Sequence, residues 1–353
     1  MSTRVLDLPE EAYAVALASI PNVGPATLRR WLQTEAASAA WRRVGTGPET
    51  AVAQLWELHS RLGIAVLLSD HPSYPSRLSG DPERPAVLFC LGDPAVLRRT
   101  PTVALVGTRA PTRYGLGVAA QFGTELSAAG VSVVSGLALG IDGAAHEGAC
   151  ACTDAAPPIA VVAGGLDDPY PRSHVRLWQR VAAQGAVVSE SPAGVRTEKW
   201  RFPVRNRLLA GLSDVVVVIE SRHGSGSRHT VDAAMTRDKP VGAVPGSIRS
   251  ATSEGTNALL ADGCFPVCSA ADVLMALSLA GAPVSVTRAA RGPQASPELG
   301  EDQALYDALS HDPTALDDLL ALSGLGLTNL CAGLQRLARA GVARDLGGWW
   351  VRT

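Results

Sequence analysis

Between Arg196 and Arg207 the sequence reads RTEKWRFPVRNR. Arg196, Lys199, Arg201, Arg205 and Arg207 face a single acid, Glu198, with Trp200 and Phe202 set among them. A guanidinium is a planar fork that can hold a phosphate through two N–H groups, and an aromatic face accepts a stacked base. Cations interleaved with aromatics are the combination that holds a single nucleic-acid strand. Asn206 adds an amide that could read a base edge or brace its own segment. The alternative is a solvated loop whose Phe202 plugs the core, and the segment alone does not decide between them.

Other residues point to the same chemistry. Gly107-Thr108-Arg109, Ser135-Gly136 and Ser225-Gly226-Ser227 each follow a short apolar run. Small residues there let a ligand approach the backbone and expose N–H donors, which suits phosphate. Arg109 supplies a cation from a distant part of the chain. The acids Asp142, Asp167, Asp168 and Glu190 form no evident catalytic pair. His146 lies one helical turn after Asp142, a spacing open to an acid–base pair but better explained by a packing contact. GTRAPTRYG lacks the G-x-G-x-x-G of a dinucleotide site, and no G-K-[ST] follows a strand. The six cysteines contain no C-x-x-C pair and no accompanying histidine cluster, so free thiols in a reducing cytoplasm are expected, with no metal and no cofactor.

The elements that must position these groups can be read from the pattern. VALVG (103–107), VSVVS (131–135), IAVVA (159–163), AVVSE (186–190), VVVVIE (215–220) and VGAVPG (241–246) are apolar runs separated by helix-length segments. Such alternation means βαβ units and a parallel, Rossmann-like sheet with helices on both faces, with ligands at the carboxyl ends of its strands. Residues 1–63 read as helices around the turn IPNVG, either a helix-hairpin-helix (SAM-like) module able to hold a DNA phosphate or a plain helical hairpin. Residues 64–280 form the Rossmann-like domain. Residues 281–299, rich in Pro, Gly, Ala and Ser, form a linker. Residues 300–353 suggest a winged helix. In that last module Asp and Glu outnumber Arg, which argues against its being the main DNA contact.

The formal net charge of -2 excludes a globally basic nucleic-acid binder but not a local basic groove. MSTRVLDLPEEAY is acidic and lacks an apolar core, so no signal peptide is expected, and no run is long enough to span a membrane. A cytoplasmic protein is expected.

VALVGTRAPTRYG, SGLALGIDGAAHEGA, AVVAGGLDDPYPRSH, SESPAG, FPVRNRLLAGLSDVVVVIES, GSGSRHT and AVPGS with EGTNALLADG occur in the order seen in the DNA-processing protein A (DprA/Smf) family, which the chain resembles over residues 65–275. The resemblance implies a binding protein rather than an enzyme. It implies single-stranded DNA as ligand, protection of incoming DNA during natural transformation, loading of the RecA recombinase, and a homodimer formed through the Rossmann-like domain. By that resemblance Gly107, Thr108, Arg109, Ser135, Gly136, Phe202, Arg205, Asn206 and Arg207 belong to the DNA site, with Ser225, Gly226 and Ser227 beside it and Lys199 or Arg201 as a further cation. Arg109, Arg205 and Arg207 are expected to share one phosphate pocket. One departure stands out, because Arg228-His229 replaces apolar residues that usually precede the threonine. A nucleotide-processing enzyme similar to the phosphoribohydrolases is the alternative, although AGGLDDPYP lacks the Thr and Glu of their P-G-G-x-G-T-x-x-E motif.

Overall fold

The computed structural model describes residues 8–45, 47–152, 154–284, 300–310 and 312–352. It divides into two compact units, Met1–Pro111 with Val118–Ser285, and Thr112–Gly117 with Val286–Thr353. Among the described residues no helix is long and apolar enough to cross a membrane.

The first unit opens with four helices, α1 (Glu10–Ala18), α2 (Pro25–Leu32), α3 (Ala37–Val44) and α4 (Glu49–Arg61). Pro25 starts α2, where its missing N–H costs nothing. Asn22, in the turn before it, takes a positive φ of 65°. EEAYAVALA reads as amphipathic, yet Ala12 to Leu17 are all buried. The reason is that α3, α4 and the first sheet strand all pack on α1. These helices share one core with a face of the sheet, joining Leu17, Trp41 and Val52 to Phe89, Trp178 and Val187. The boundary expected at residue 63 falls between α4 and that strand.

The sheet elements follow as β1 (Ile64–Leu68), β2 (Val87–Gly92), β3 (Thr102–Val106), α5 (Arg113–Ala128), β4 (Ser132–Ser135), α6 (Ile141–Ala149), β5 (Ile159–Val161), α7 (Val175–Gln184), β6 (Ala186–Ser189), α8 (Arg201–Gly211), β7 (Val215–Val218), α9 (Ser227–Met235), β8 (Val241–Ala243), α10 (Glu254–Ala261), β9 (Phe265–Pro266) and α11 (Ala270–Leu279). They build a nine-stranded sheet in the order β1-β2-β6-β5-β4-β3-β7-β8-β9. From β6 to β9 every pairing is parallel, and β3 registers with β7 through Val103↔Val215 to Val106↔Val218. All four β7 valines are buried, which is why that run shows no alternation. The apolar-run reading passed over β1 and β2. They extend the sheet antiparallel beyond β6.

Helices α5 and α6 touch at backbone distance. A Cβ on Gly148 would lie 2.0 Å from the Ala120 carbonyl oxygen, and one on Gly123 2.2 Å from that of Ala145. Thr124 Oγ1 donates to the Gly148 carbonyl at 3.1 Å. This contact carries α6 close over the sheet and so fixes Asp142 and the segment before it.

In the second unit α12 (Gln303–Ala308), β10 (Thr314–Ala315), α13 (Leu316–Ser323), α14 (Leu327–Arg339), β11 (Ala343–Asp345) and β12 (Trp349–Arg352) follow in order. Its antiparallel sheet runs β10-β12-β11 over a core of Leu305, Leu319, Leu330, Leu334 and Leu337. Most of the linker expected at 281–299 lies outside the described residues.

Gly148→Ala should force the two helices apart and cost about 1–3 kcal/mol, as overpacking does. A thermal melt checks this against Gly80→Ala, whose Cβ meets nothing within 4 Å; equal melting temperatures for the two variants would contradict the close contact.

Candidate functional site

The chain leaves β3 toward β4 on one side and leaves β7 toward β8 on the other. The loops after these two neighbours therefore diverge, which is the switch point where open α/β sheets hold ligands. A cavity of about 540 Å³ opens there. Gly107, Thr108 and Arg109 form one wall, and Ser225, Gly226, Ser227 and His229 form another. The Thr108 N–H donates to the Glu220 carbonyl at 2.8 Å, tying the β3 loop to the end of β7.

Helix α8 forms the floor. FPVRN reads in sequence as a loop wrapping back over the sheet rim, but it lies within this helix, with Pro203 in the tolerated first turn. A helix turns by about 100° per residue, so i, i+3, i+4 and i+7 share a face. Phe202, Arg205, Asn206 and Leu209 have that spacing, and all four line the cavity. Asn206 Nδ2 donates to the Gly226 carbonyl at 3.2 Å and so holds the loop before α9. In that loop the hydroxyls of Ser221, Ser225 and Ser227 form a closed triangle with edges of 2.7–2.8 Å.

The cations differ in what they can do. Arg109 is exposed, and its guanidinium lies 4.3 Å from the Phe202 ring centroid. Tyr170 stands on the same ring, with centroids 6.0 Å apart and planes tilted by 50°. Lys199 is exposed at the cavity's edge. Among the described residues neither Arg109 nor Lys199 enters an ion pair. Arg205, by contrast, is only 5% exposed. One of its terminal nitrogens donates to the Val161 carbonyl, while its Nε has no partner. Burial draws this guanidinium down to about 10, and Asp142, facing it across Gly136, partly offsets that. Burial raises the Asp142 carboxyl, with Arg205 the chief opposing influence. A Cβ at position 136 would fall 1.9 Å from Arg205 Nη1, so the glycine there makes room for the guanidinium.

Four expected residues lie outside this cavity. Arg207 does not line the cavity: two helical residues from Arg205, it points about 200° away. Its Nη2 contacts both Glu190 carboxylate oxygens, at 2.7 and 2.8 Å, in a buried ion pair. The expected pocket of three arginines is thus corrected to Arg109 and Arg205. Arg201 stacks on Trp200 at 4.3 Å and donates to Ser191 Oγ at 3.1 Å, facing the groove beside the α1–α2 turn. Ser135 is buried and donates to the Leu105 carbonyl at 2.6 Å. Its neighbour Gly136 borders a small adjoining cavity shared with Arg109, Tyr170 and Phe202. Asp142 and His146 make no hydrogen bond to each other among the described residues, and burial holds the imidazole down to about 4.

Pattern reading passed over Tyr170 and His229 as cavity residues. Tyr170 had a signal in the aromatic after GGLDDP. His229 had one in its departure from an apolar residue. Arg228 turns away from the cavity and pairs with Asp232 at 2.9 Å.

Glu190→Ala should destabilise the protein by about 3–5 kcal/mol, because it strands the Arg207 charge. Burial raises the Glu190 carboxyl, with Arg207 the largest influence opposing it. Chemical denaturation of this variant beside the double variant Glu190→Leu/Arg207→Met measures the effect; the double variant should regain most of the loss. A double variant no more stable than Glu190→Ala would show that the cost lies in packing and not in the stranded charge.

Known proteins share this fold and sequence pattern. A family model, DNA recombination-mediator protein A, matches residues 65–278. Protein Smf of Synechocystis sp. is 30% identical across 96% of this chain and 98% of its own length. DNA processing protein DprA of Bacillus subtilis is 36% identical across 60% of this chain and 70% of its own. The X-ray structure of DNA processing protein A from Streptococcus pneumoniae superposes with a TM-score of 0.64 and 28% identity, over 76% of this chain and 98% of that one. DNA processing protein A from Helicobacter pylori, whose structure describes a single-stranded DNA binding mode, gives a TM-score of 0.55 and 30% identity, over 62% and 97%. The matched span runs from β1 into α11 and takes in every wall of the cavity, and with it the chain belongs to the DNA recombination-mediator protein A family.

Proposed function

We propose that the protein binds single-stranded DNA at this cavity, without sequence preference, as part of DNA processing during transformation. The observation that carries the reading is the pair of cations Arg109 and Lys199, exposed at the carboxyl rim of the sheet and in no ion pair among the described residues. A phosphodiester would satisfy both, and Phe202 and Tyr170 offer faces for a base. Family membership and the DNA-binding relative support the same reading. Arg205 acts mainly from beneath, as a buried positive charge that holds the floor and raises the potential of the cavity.

The role is that of a binder rather than an enzyme. Asp142 is the one carboxylate lining the cavity among the described residues, and it is committed to Arg205 and to the Gly136 N–H, which it accepts at 3.2 Å. In this reading the protein works in the cytoplasm, hands the strand to RecA and forms a homodimer through the Rossmann-like domain. In the same reading the helices of residues 10–61 serve as a helix-hairpin-helix module, the alternative being a plain helical hairpin used for packing. In the same reading the helices and antiparallel strands of residues 303–352 serve as a winged helix that contributes little to DNA affinity.

Arg109→Ala and Lys199→Ala should each weaken single-strand binding and lower the slope of log affinity against log salt by about 0.7. Arg207→Ala should lower thermal stability, while the folded fraction keeps the slope of the unmodified protein. Fluorescence anisotropy with a short single-stranded oligonucleotide and its duplex reads these effects. Equal affinity for the two forms, or an unchanged slope in Arg109→Ala, would sink the proposal. Incubation with nucleoside monophosphates checks the catalytic alternative, and released base would establish it.

A further inference from the structure

His229 sits in the first turn of α9, exposed, on the wall of the cavity that holds Arg109 and Lys199. No hydrogen bond or ion pair commits its imidazole elsewhere among the described residues. The loop after β3 contributes Arg109, the segment before α8 contributes Lys199, and α8 contributes Arg205. From α6 comes Asp142, already facing Arg205. On α9 itself Arg228 and Asp232 neutralise one another, and Arg228 also approaches Asp262 at 4.0 Å. The end of β7 supplies Glu220, buried and accepting from Thr252 Oγ1 at 3.2 Å. Arg222 and His223 lie in the exposed loop between them.

The cavity lining thus faces His229 with more positive than negative charge. A phosphodiester entering between Arg109 and the first turn of α9 brings a negative charge and an acceptor. We propose that His229 is a further phosphate-contacting residue, which takes up a proton as the strand binds and donates it to a phosphate oxygen. This rests on the reading of the cavity as a single-strand site and adds a contact that the arginine and lysine do not supply. Histidine is the side chain whose charge can change within the physiological pH range, so a contact made by its protonated form strengthens as pH falls.

The complex binds more protons than its separated components, so affinity rises as pH falls, by at most about tenfold per pH unit for one proton. The probe is oligothymidylate, whose bases and phosphodiesters carry no titrating group between pH 6 and 8. From pH 8 to pH 6 the unmodified protein should tighten about three- to tenfold, and its salt slope should steepen by about 0.7. His229→Gln should lose both changes. His229→Lys, a permanent cation, should keep the steep slope at both pH values, and His223→Gln should retain the pH response of the unmodified chain. His146 is no rival source, since burial holds it down to about 4. Thermal melts establish that each variant is folded. A pH response that persists undiminished in His229→Gln, or that is absent from the unmodified protein, overturns the inference. Failure to bind oligothymidylate at any pH overturns the reading of the cavity itself.

Discussion

The site depends on one topological constraint: β3 and β7 lie side by side and parallel, yet their chains depart in opposite directions. Two loops at the same rim therefore cannot cover each other, and a crevice must remain. Everything placed around it follows from that gap. The β3 loop brings Gly107 to Arg109, the β7 loop brings Ser225 to His229, and α8 closes the bottom. The Thr108 to Glu220 backbone bond keeps the two strand ends from separating further. The crevice exists because of chain connectivity, and the side chains only decide what enters it.

The floor of the crevice is organised by charge as much as by shape. Arg205 is buried facing Asp142 with no ion pair within 4 Å among the described residues, in contrast to Arg207, whose Nη2 contacts both Glu190 oxygens. Two arginines separated by one residue thus have opposite duties. One leaves a net positive potential beneath the ligand, where low-dielectric surroundings strengthen it. The other fastens α8 to the end of β6. The division comes from helix geometry alone, since neighbours two apart face opposite sides.

Much of the fold was legible in the chain. The runs of Val, Ile and Ala marked the parallel strands, because strands buried on both faces need no polar alternation. Small residues at the strand ends marked the rim, since close backbone approach requires them there. The antiparallel strands Ile64–Leu68 and Val87–Gly92 were less visible, because nothing in a short apolar stretch says which way it pairs. The helical state of FPVRN was hidden by its proline, which breaks a helix interior but fits a first turn. Assigning that segment to a loop removed the angular rule separating Arg205 from Arg207, and the error about Arg207 followed. Asn206 as a clamp on Gly226 and Tyr170 as a neighbour of Phe202 depend on contacts across 20 and 32 residues that no local pattern encodes.

The far margin of the sheet carries a different consequence. Its last strand, β9, is only Phe265–Pro266, and the proline has no N–H to offer. A long exposed edge strand is a template for adding a strand from another chain, and a two-residue edge ending in proline is a poor one. This margin is closed to main-chain recruitment, whether productive or aggregating. Any neighbour that settles there has to be recognised by side-chain shape and not by the ladder of amides that would accept almost any extended sequence.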